Sequence, residues 1–418
     1  MTSSPAVRAA VDNLVVSGRP VAGSQPPGGP TVSSTPATYL ADNQARATAT
    51  IDLDAITANV AALRHHVGGR DLMAVVKADG YGHGLVPAAR ASRAGGAAWL
   101  GVALLDEALE LRAAGDTGPI LSWLAVPGER YGAAIAAGVE VTAYGPDQLV
   151  EIAAAAASAG QPAAVQLKLD SGLGRGGAHP DDWPQLVDAA RARRDDGLVD
   201  ITGVWSHLAC SDEPGHSSIQ RQTAEFEAGL RYAVEVGLEP RHVHLANSGA
   251  VLASPATWFT MVRPGIAIYG LSPFADATSP VRLRPAMTLT AALASVKRVH
   301  AGQGVSYGLT YVTDKQTTLA LVPLGYGDGI PRTASGAGPV AIRGQRFTVA
   351  GQVCMDQFVI DIGDSAAARG DDVVLFGDPA RGAPSAHEWA SAADTISYEI
   401  VTRIAPRVPR RYVGGECR

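Results

Sequence analysis

A chain of 418 residues that is 46% hydrophobic and 18% charged is too apolar for a disordered protein and long enough for two or three domains, of which two are expected. Its formal charge of −6, with no basic cluster interleaved with aromatic residues, argues against nucleic acid as a partner, and no apolar run is long enough to cross a bilayer. Cys210, Cys354 and Cys417 have no spacing that would hold a metal, and their odd number argues against a disulfide framework, so a cytoplasmic protein acting on a small molecule is expected.

Residues 1–45 are rich in Ser, Pro, Gly and Thr and lack the apolar stretch of a secretory signal; they read as a disordered tail. Thr48–Ile51 has strand character and precedes a helix start near Asp54. Short apolar runs then recur at Leu72–Lys77, Trp99–Ala103, Pro119–Leu124, Glu140–Tyr144, Val165–Asp170, Ile201–His207, His242–Asn247 and Met261–Tyr269. Between them, Asp106–Ala114, Pro146–Ser158, Pro180–Arg194 and Ile219–Val236 carry apolar residues at helical spacing, so each can lay one face on a sheet. This alternation fits an α/β fold, a (β/α)8 TIM-type barrel over residues 46–285. A doubly wound open sheet competes, but no GxGxxG follows the first strand. After Pro285 the texture becomes β-branched alternation at Met287–Val299, Gln316–Leu324, Val340–Ile342, Phe347–Val349, Val359–Ile362 and Asp372–Phe376. Helices are expected at Ala386–Ala393 and Thr395–Ile404. Residues 286–418 therefore read as a mainly-β C-terminal domain that Thr48–Ile51 can join.

A barrel puts its reactive groups at the carboxyl ends of its strands. Lys77, Lys168 with Arg175, His207, Asn247 with Ser248, and Arg263 with Gly265 all fall there. Desolvation at such a position lowers an ammonium's pKa, and only the neutral amine attacks an aldehyde, so Lys77 is a candidate Schiff-base former; a solvated lysine at a strand exit is the ordinary alternative. Ser248 offers a hydroxyl, and Arg263-Pro264-Gly265-Ile266 places a glycine where backbone N–H groups can meet phosphate oxygens. Beside the lysine they favour a phosphorylated aldehyde, pyridoxal 5'-phosphate.

Five ordered segments carry a family resemblance: Ala74-Val75-Val76-Lys77-Ala78-Asp79-Gly80-Tyr81-Gly82-His83-Gly84, Lys168-Leu169-Asp170-Ser171-Gly172-Leu173-Gly174-Arg175, Val262-Arg263-Pro264-Gly265-Ile266-Ala267-Ile268-Tyr269-Gly270, Val305-Ser306-Tyr307-Gly308 and Cys354-Met355-Asp356-Gln357. The chain strongly resembles alanine racemases, fold-type III pyridoxal-phosphate enzymes that supply D-alanine for peptidoglycan. The resemblance implies a barrel followed by a β domain, in a head-to-tail homodimer with shared active sites. Lys77 would hold the cofactor and serve the D-isomer, while Tyr307 of the other subunit would serve the L-isomer. Two acid/base groups on opposite faces account for racemisation. A phenol is a poor base near neutral pH, and Arg175 and His207 are expected to assist it. Arg263 would face the pyridine nitrogen without giving up its proton, which weakens the electron sink.

The same resemblance assigns Tyr81, His207, Ser248, Gly265, Ile266 and Tyr398 to the cofactor, and Arg175 and the Met355 amide to the substrate. Lys168 matches a lysine that is often carbamylated and then orients Arg175. Asp212, His244, Arg332, Gln352 and Ile396 would line the access channel, with Gln352 standing where relatives usually carry arginine. A serine or broad-specificity racemase is the nearest alternative, and a non-catalytic pyridoxal-phosphate carrier another. Tyr307 and Cys354-Met355-Asp356 argue against the carrier, which needs no second base. Cys354 itself reads as a small buried residue.

Overall fold

The computed structural model describes residues 45–415; residues 1–44 of the expected tail, and Cys417, lie outside them. Strand β1 (Ala47–Asp52) buries Ala47, Ala49 and Ile51 on one face by simple alternation. It ends at Asp52, whose carboxylate accepts the Ala55 N–H at 2.9 Å and starts helix Leu53–His66.

Eight parallel strands then close into a barrel: β2 (Asp71–Val75), β3 (Trp99–Val102), β4 (Ile120–Ser122), β5 (Glu140–Ala143), β6 (Ala163–Lys168), β7 (Val199–Trp205), β8 (His242–His244) and β9 (Met261–Val262), the last pairing back onto β2. These strands are covered on both sides, which is why they read as continuous apolar runs. Met73, Trp99, Leu121 and Met261 pack together as a separate small cluster of strand side chains. The expected run Met261–Tyr269 is only two residues of strand followed by a 3-10 helix, Ile266–Tyr269. Pro264 and Gly265 break it, and apolarity alone could not reveal that turn.

The chain leaves the barrel through a tight crossing. Gly270 has φ +84°, and a Cβ there would lie 1.7 Å from the Arg284 carbonyl oxygen. Asn59 clamps the crossing, its Nδ2 donating to the carbonyls of Ile268 (3.1 Å) and Arg284 (2.9 Å) and its Oδ1 accepting the Arg284 N–H (2.9 Å). Beyond it come β10 (Met287–Ala292), β11 (Ser295–Val299), β12 (Gly304–Val305), β13 (Tyr311–Val312), β14 (Thr317–Val322), β15 (Pro339–Ile342), β16 (Gln345–Ala350), β17 (Phe358–Gly363), β18 (Asp372–Phe376) and β19 (Arg410–Val413). Nine strands form one sheet in the order β11-β14-β17-β16-β15-β18-β10-β1-β19, and β12-β13 form a separate hairpin. The expected single strand Met287–Val299 is two strands lying far apart in that sheet, because Leu293 and Ala294 turn the chain without a Gly or Pro to announce it. β1 pairs antiparallel with β10, from Ala47 opposite Ala291 to Ile51 opposite Met287, so this strand belongs to the sheet rather than the barrel. No helix among the described residues is long and apolar enough to cross a membrane.

Candidate active site

Lys77 follows β2 at the mouth of the barrel, and the next four residues are left-handed: φ is 55° at Ala78, 54° at Asp79, 59° at Gly80 and 53° at Tyr81. Such a turn costs about 1–2 kcal/mol per L-residue, so its neighbours must fix it. The Ala78 N–H donates to Glu107 Oε1 at 2.6 Å, Asp79 Oδ1 accepts the Leu85 N–H at 2.8 Å, and His83 Nδ1 sits 3.0 Å from the carbonyls of both Gly80 and Tyr81. Burial, then the charge of Arg175, lowers the Lys77 pKa, while Glu107 opposes them. Glu107 escaped the sequence reading. It also accepts the N–H groups of Ala103 and Leu104, and its position in the first turn of helix Leu105–Ala113 was the available signal.

Under the mouth runs a chain of buried polar groups. Arg263 Nη1 donates to His244 Nδ1 at 2.7 Å, so the His244 Nε2–H donates to Gln166 Oε1 at 2.6 Å, and Gln166 Nε2 donates to Glu140 Oε2 at 2.8 Å. His244 is therefore not a channel residue: it is 0% exposed and stacked on Trp205, supporting Arg263 from below. Arg263 Nη2 donates to the Ser206 carbonyl at 2.7 Å and lies 3.4 Å from His207 Nδ1. Burial pushes the Arg263 guanidinium down to about 9, leaving it cationic at neutral pH. Burial and then Arg263 hold the His207 imidazole well below its usual range, which favours its neutral form and runs against the expectation that His207 assists a phenol through charge. Lys168 Nζ lies 4.4 Å from the Trp205 ring centroid and 5.2 Å from that of Tyr144. Burial first, then Arg263 and Arg175, bring its pKa to about 7.

At the opposite side of the mouth, Ser248 Oγ accepts the N–H groups of Gly265 (2.8 Å) and Ala267 (3.3 Å), which leaves its own hydrogen to point elsewhere. Ile266 follows, fully buried, at the start of the 3-10 turn. The Tyr81 hydroxyl lies over Gly265, where a Cβ would come within 2.3 Å of it. Its ring is 5.0 Å from Tyr269 and 6.2 Å from Tyr398. Burial raises the pKa values of Tyr81 and Tyr398, keeping both phenols protonated donors. Arg175 is held through its loop: Asp170 accepts the N–H groups of Gly172, Leu173, Gly174 and Arg175. Burial pushes the Asp170 carboxyl up, but those four donors outweigh it and hold it below the usual range. Asp212 is exposed beside Ser211, whose hydroxyl donates to Asn247 Oδ1 at 2.6 Å. Ile396, 60% exposed, caps the helix that carries Tyr398.

Tyr307, Met355, Gln352 and Arg332 gather elsewhere, on the β domain. Ser306, just before Tyr307, has φ 62° and ψ −173°, a region almost confined to glycine. Its hydroxyl donates to the Gln352 carbonyl at 2.7 Å and lies 3.3 Å from Cys354 Sγ, tying the Tyr307 turn to the Met355 loop. The Ser335 hydroxyl joins that loop to the Arg332 turn, accepting the Val353 N–H and donating to the Arg332 carbonyl. Tyr307 is 75% exposed and Met355 54%. No hydrogen bond, ion pair or ring contact among the described residues links either to the group around Lys77.

The donors at the barrel mouth fit pyridoxal phosphate: a desolvated amine, two protonated phenols, a serine hydroxyl free to donate, and a buried guanidinium with no carboxylate partner among the described residues. Fold and site together are those of a barrel with a desolvated lysine at a strand end, the arrangement that suits barrel enzymes. The chain matches the family description "Alanine racemase, N-terminal domain" over residues 51–273 and "Alanine racemase, C-terminal domain" over residues 286–412. It is 54% identical to the alanine racemase of Frankia casuarinae over 89% of this chain and 98% of that one, and 53% identical to that of Thermobifida fusca over 88% and 98%. The solved alanine racemase of D-cycloserine producing Streptomyces lavendulae superposes with a TM-score of 0.88 at 54% identity, over 90% of this chain and 98% of that one. That of Bacillus anthracis, with bound L-Ala-P, gives 0.82 at 35% identity over 90% and 96%. The chain belongs to the alanine racemase family.

Proposed function

We propose that the protein interconverts L-alanine and D-alanine with pyridoxal 5'-phosphate, in a cytoplasmic homodimer whose sites combine the barrel of one subunit with the C-terminal domain of the other, and so supplies D-alanine for peptidoglycan. One observation carries the reading: a desolvated lysine waits in the barrel, and the phenol that should oppose it is exposed on a separate face of the same chain. Leu309, Val312 and Tyr326 beside Tyr307 and Met355 are exposed as well, an apolar surface suited to burial against a second copy.

Lys77 would hold the cofactor through its amine, Tyr81, Ser248, Gly265, Ile266 and Tyr398 would supply donors to its phosphate, and Arg263, with His207 beside it, would donate to its ring. The bound cofactor draws electron density from the substrate Cα and acidifies its C–H bond. Lys77 Nζ then takes or returns the proton on one face and the partner's Tyr307 Oη on the other. Arg175 and the partner's Met355 N–H bind the substrate carboxylate. Lys168, with a pKa brought to about 7, keeps a substantial fraction of neutral amine at that pH to add CO2 and lose a proton, and the resulting carbamate anion would offset the charges of Arg263 and Arg175. Asp212, Arg332, Gln352 and Ile396 border the access channel.

Chiral chromatography after incubation with single L-amino acids tests the reading. Racemisation of alanine far above serine and larger amino acids is expected, and its loss in Lys77→Ala and Tyr307→Phe. A protein that binds pyridoxal phosphate without isomerising alanine would refute it.

A further inference from the structure

Among the described residues, Asp328 is the most completely enclosed carboxylate that the reaction does not use. Its side chain is 0% exposed, yet two arginines reach it: Arg46 Nη2 at 2.5 Å and Arg407 Nε at 2.8 Å, both on Oδ1. Its Oδ2 accepts the Gly325 N–H at 2.9 Å. A buried carboxylate with such partners is strongly destabilised when one of them is removed, so the turn Gly325–Asp328 is fixed from inside the domain.

That turn grips the Met355 loop. The Tyr326 N–H donates to the Cys354 carbonyl at 3.0 Å and the Gly327 N–H to the Met355 carbonyl at 2.8 Å. The approach requires glycine at 325, where a Cβ would lie 2.2 Å from the Cys354 oxygen and 2.4 Å from the Met355 oxygen. The Cys354–Met355 peptide is trans. Its C=O points into the turn, so the Met355 N–H points the opposite way, outward. That N–H has no hydrogen-bond partner among the described residues. Arg407 completes the hold: while Nε pairs with Asp328, Nη2 donates to Asp356 Oδ1 at 2.6 Å, so one guanidinium spans from the buried carboxylate to the residue after Met355.

We propose that Asp328 is a positioning residue for substrate binding: with Arg407 it fixes the outward aim of the Met355 N–H toward the partner's site. The inference rests on the reading above, in which that N–H meets the substrate carboxylate. If the Met355 N–H turns away, the carboxylate loses a well-aligned hydrogen bond, about a tenfold loss of affinity, while the Tyr307 turn keeps its hydrogen bond to the loop at the Gln352 carbonyl, three residues before Met355.

The test uses the full-length dimer loaded with pyridoxal phosphate. Asp328→Asn and Arg407→Gln should raise KM about tenfold for both L- and D-alanine and lower kcat less than threefold. The inhibition constant of propionate, a carboxylate without an amine, should rise in parallel, and the absorbance of the Lys77-bound cofactor should not change. Arg407→Lys, which keeps the charge but cannot span both carboxylates, should fall between. A lowered melting temperature with unchanged KM and propionate inhibition would overturn the proposal. Should Asp328→Asn fail to fold, Arg407→Gln decides, since Arg407 is half-exposed. A wild-type enzyme that racemises alanine but is indifferent to propionate would remove the role of Met355 itself, and one that does not racemise alanine would remove the whole reading.

Discussion

Lys168 is an amine held among two aromatic rings and two arginines with little to favour its charge, and its pKa near 7 follows. The free lysine value is about 10.4, so between about pH 10 and pH 7 the unfolded chain binds a proton that the folded chain refuses. A lysine with a lowered folded pKa therefore subtracts stability as pH falls through that window, and subtracts no more below it. Lys168→Met should raise the melting temperature in bicarbonate-free buffer, most strongly at pH 7 and below, with the gain shrinking toward pH 10. A gain independent of pH would show that packing, not charge, is responsible. Spacing and residue type put Lys77 after a strand and Arg263 before Pro-Gly, whereas Tyr81, Tyr398, Tyr307 and Met355 entered only through the family resemblance. What escaped were partners chosen by three-dimensional closure. Glu107 reaches Ala78 across a strand and a helix, and His244 faces the barrel interior instead of its rim, a matter of strand phase that a three-residue strand cannot disclose.

At the level of elements, periodicity located the barrel strands and most of their helices, since burial on two faces or one leaves different patterns. It did not locate β19, whose residues Arg410–Val413 carry no apolar alternation; that strand forms because β1 offers it an edge, with Ala49 beside Arg410. Nor did it show where β9 stops, because the chain there is apolar throughout. The barrel-to-sheet crossing gives the sharpest element-level expectation. Gly270→Ala places a methyl group against the Arg284 carbonyl at a positive φ, and should cost at least about 3 kcal/mol in chemical denaturation. Gly138→Ala, also at positive φ but with open space around its Cβ, should cost about 1–2 kcal/mol. Equal losses in the two variants would mean that strain, and not the close crossing, sets the requirement at residue 270.

Across the whole molecule the net charge is −6, but alanine is a zwitterion on which that charge exerts little net pull, so its carboxylate must be recruited by local cations at the entrance. Gln352 leaves its edge of the Met355 loop uncharged, its Nε2 only 3.4 Å from the Thr310 hydroxyl. Gln352→Arg should raise kcat/KM for alanine by about twofold to fivefold at low ionic strength, with the advantage fading as salt screens it; an unchanged salt dependence would refute a recruiting role. The more basic claim is that neither barrel nor sheet is complete alone, the lysine of one chain needing the tyrosine of another. Mixing the inactive variants Lys77→Ala and Tyr307→Phe, dissociating and reassociating them, and following L-alanine by circular dichroism tests it most directly. Shared sites predict recovery to about one quarter of wild-type activity, because about half of the dimers are mixed and each mixed dimer holds one intact site. No recovery from verified mixed dimers would contradict the account.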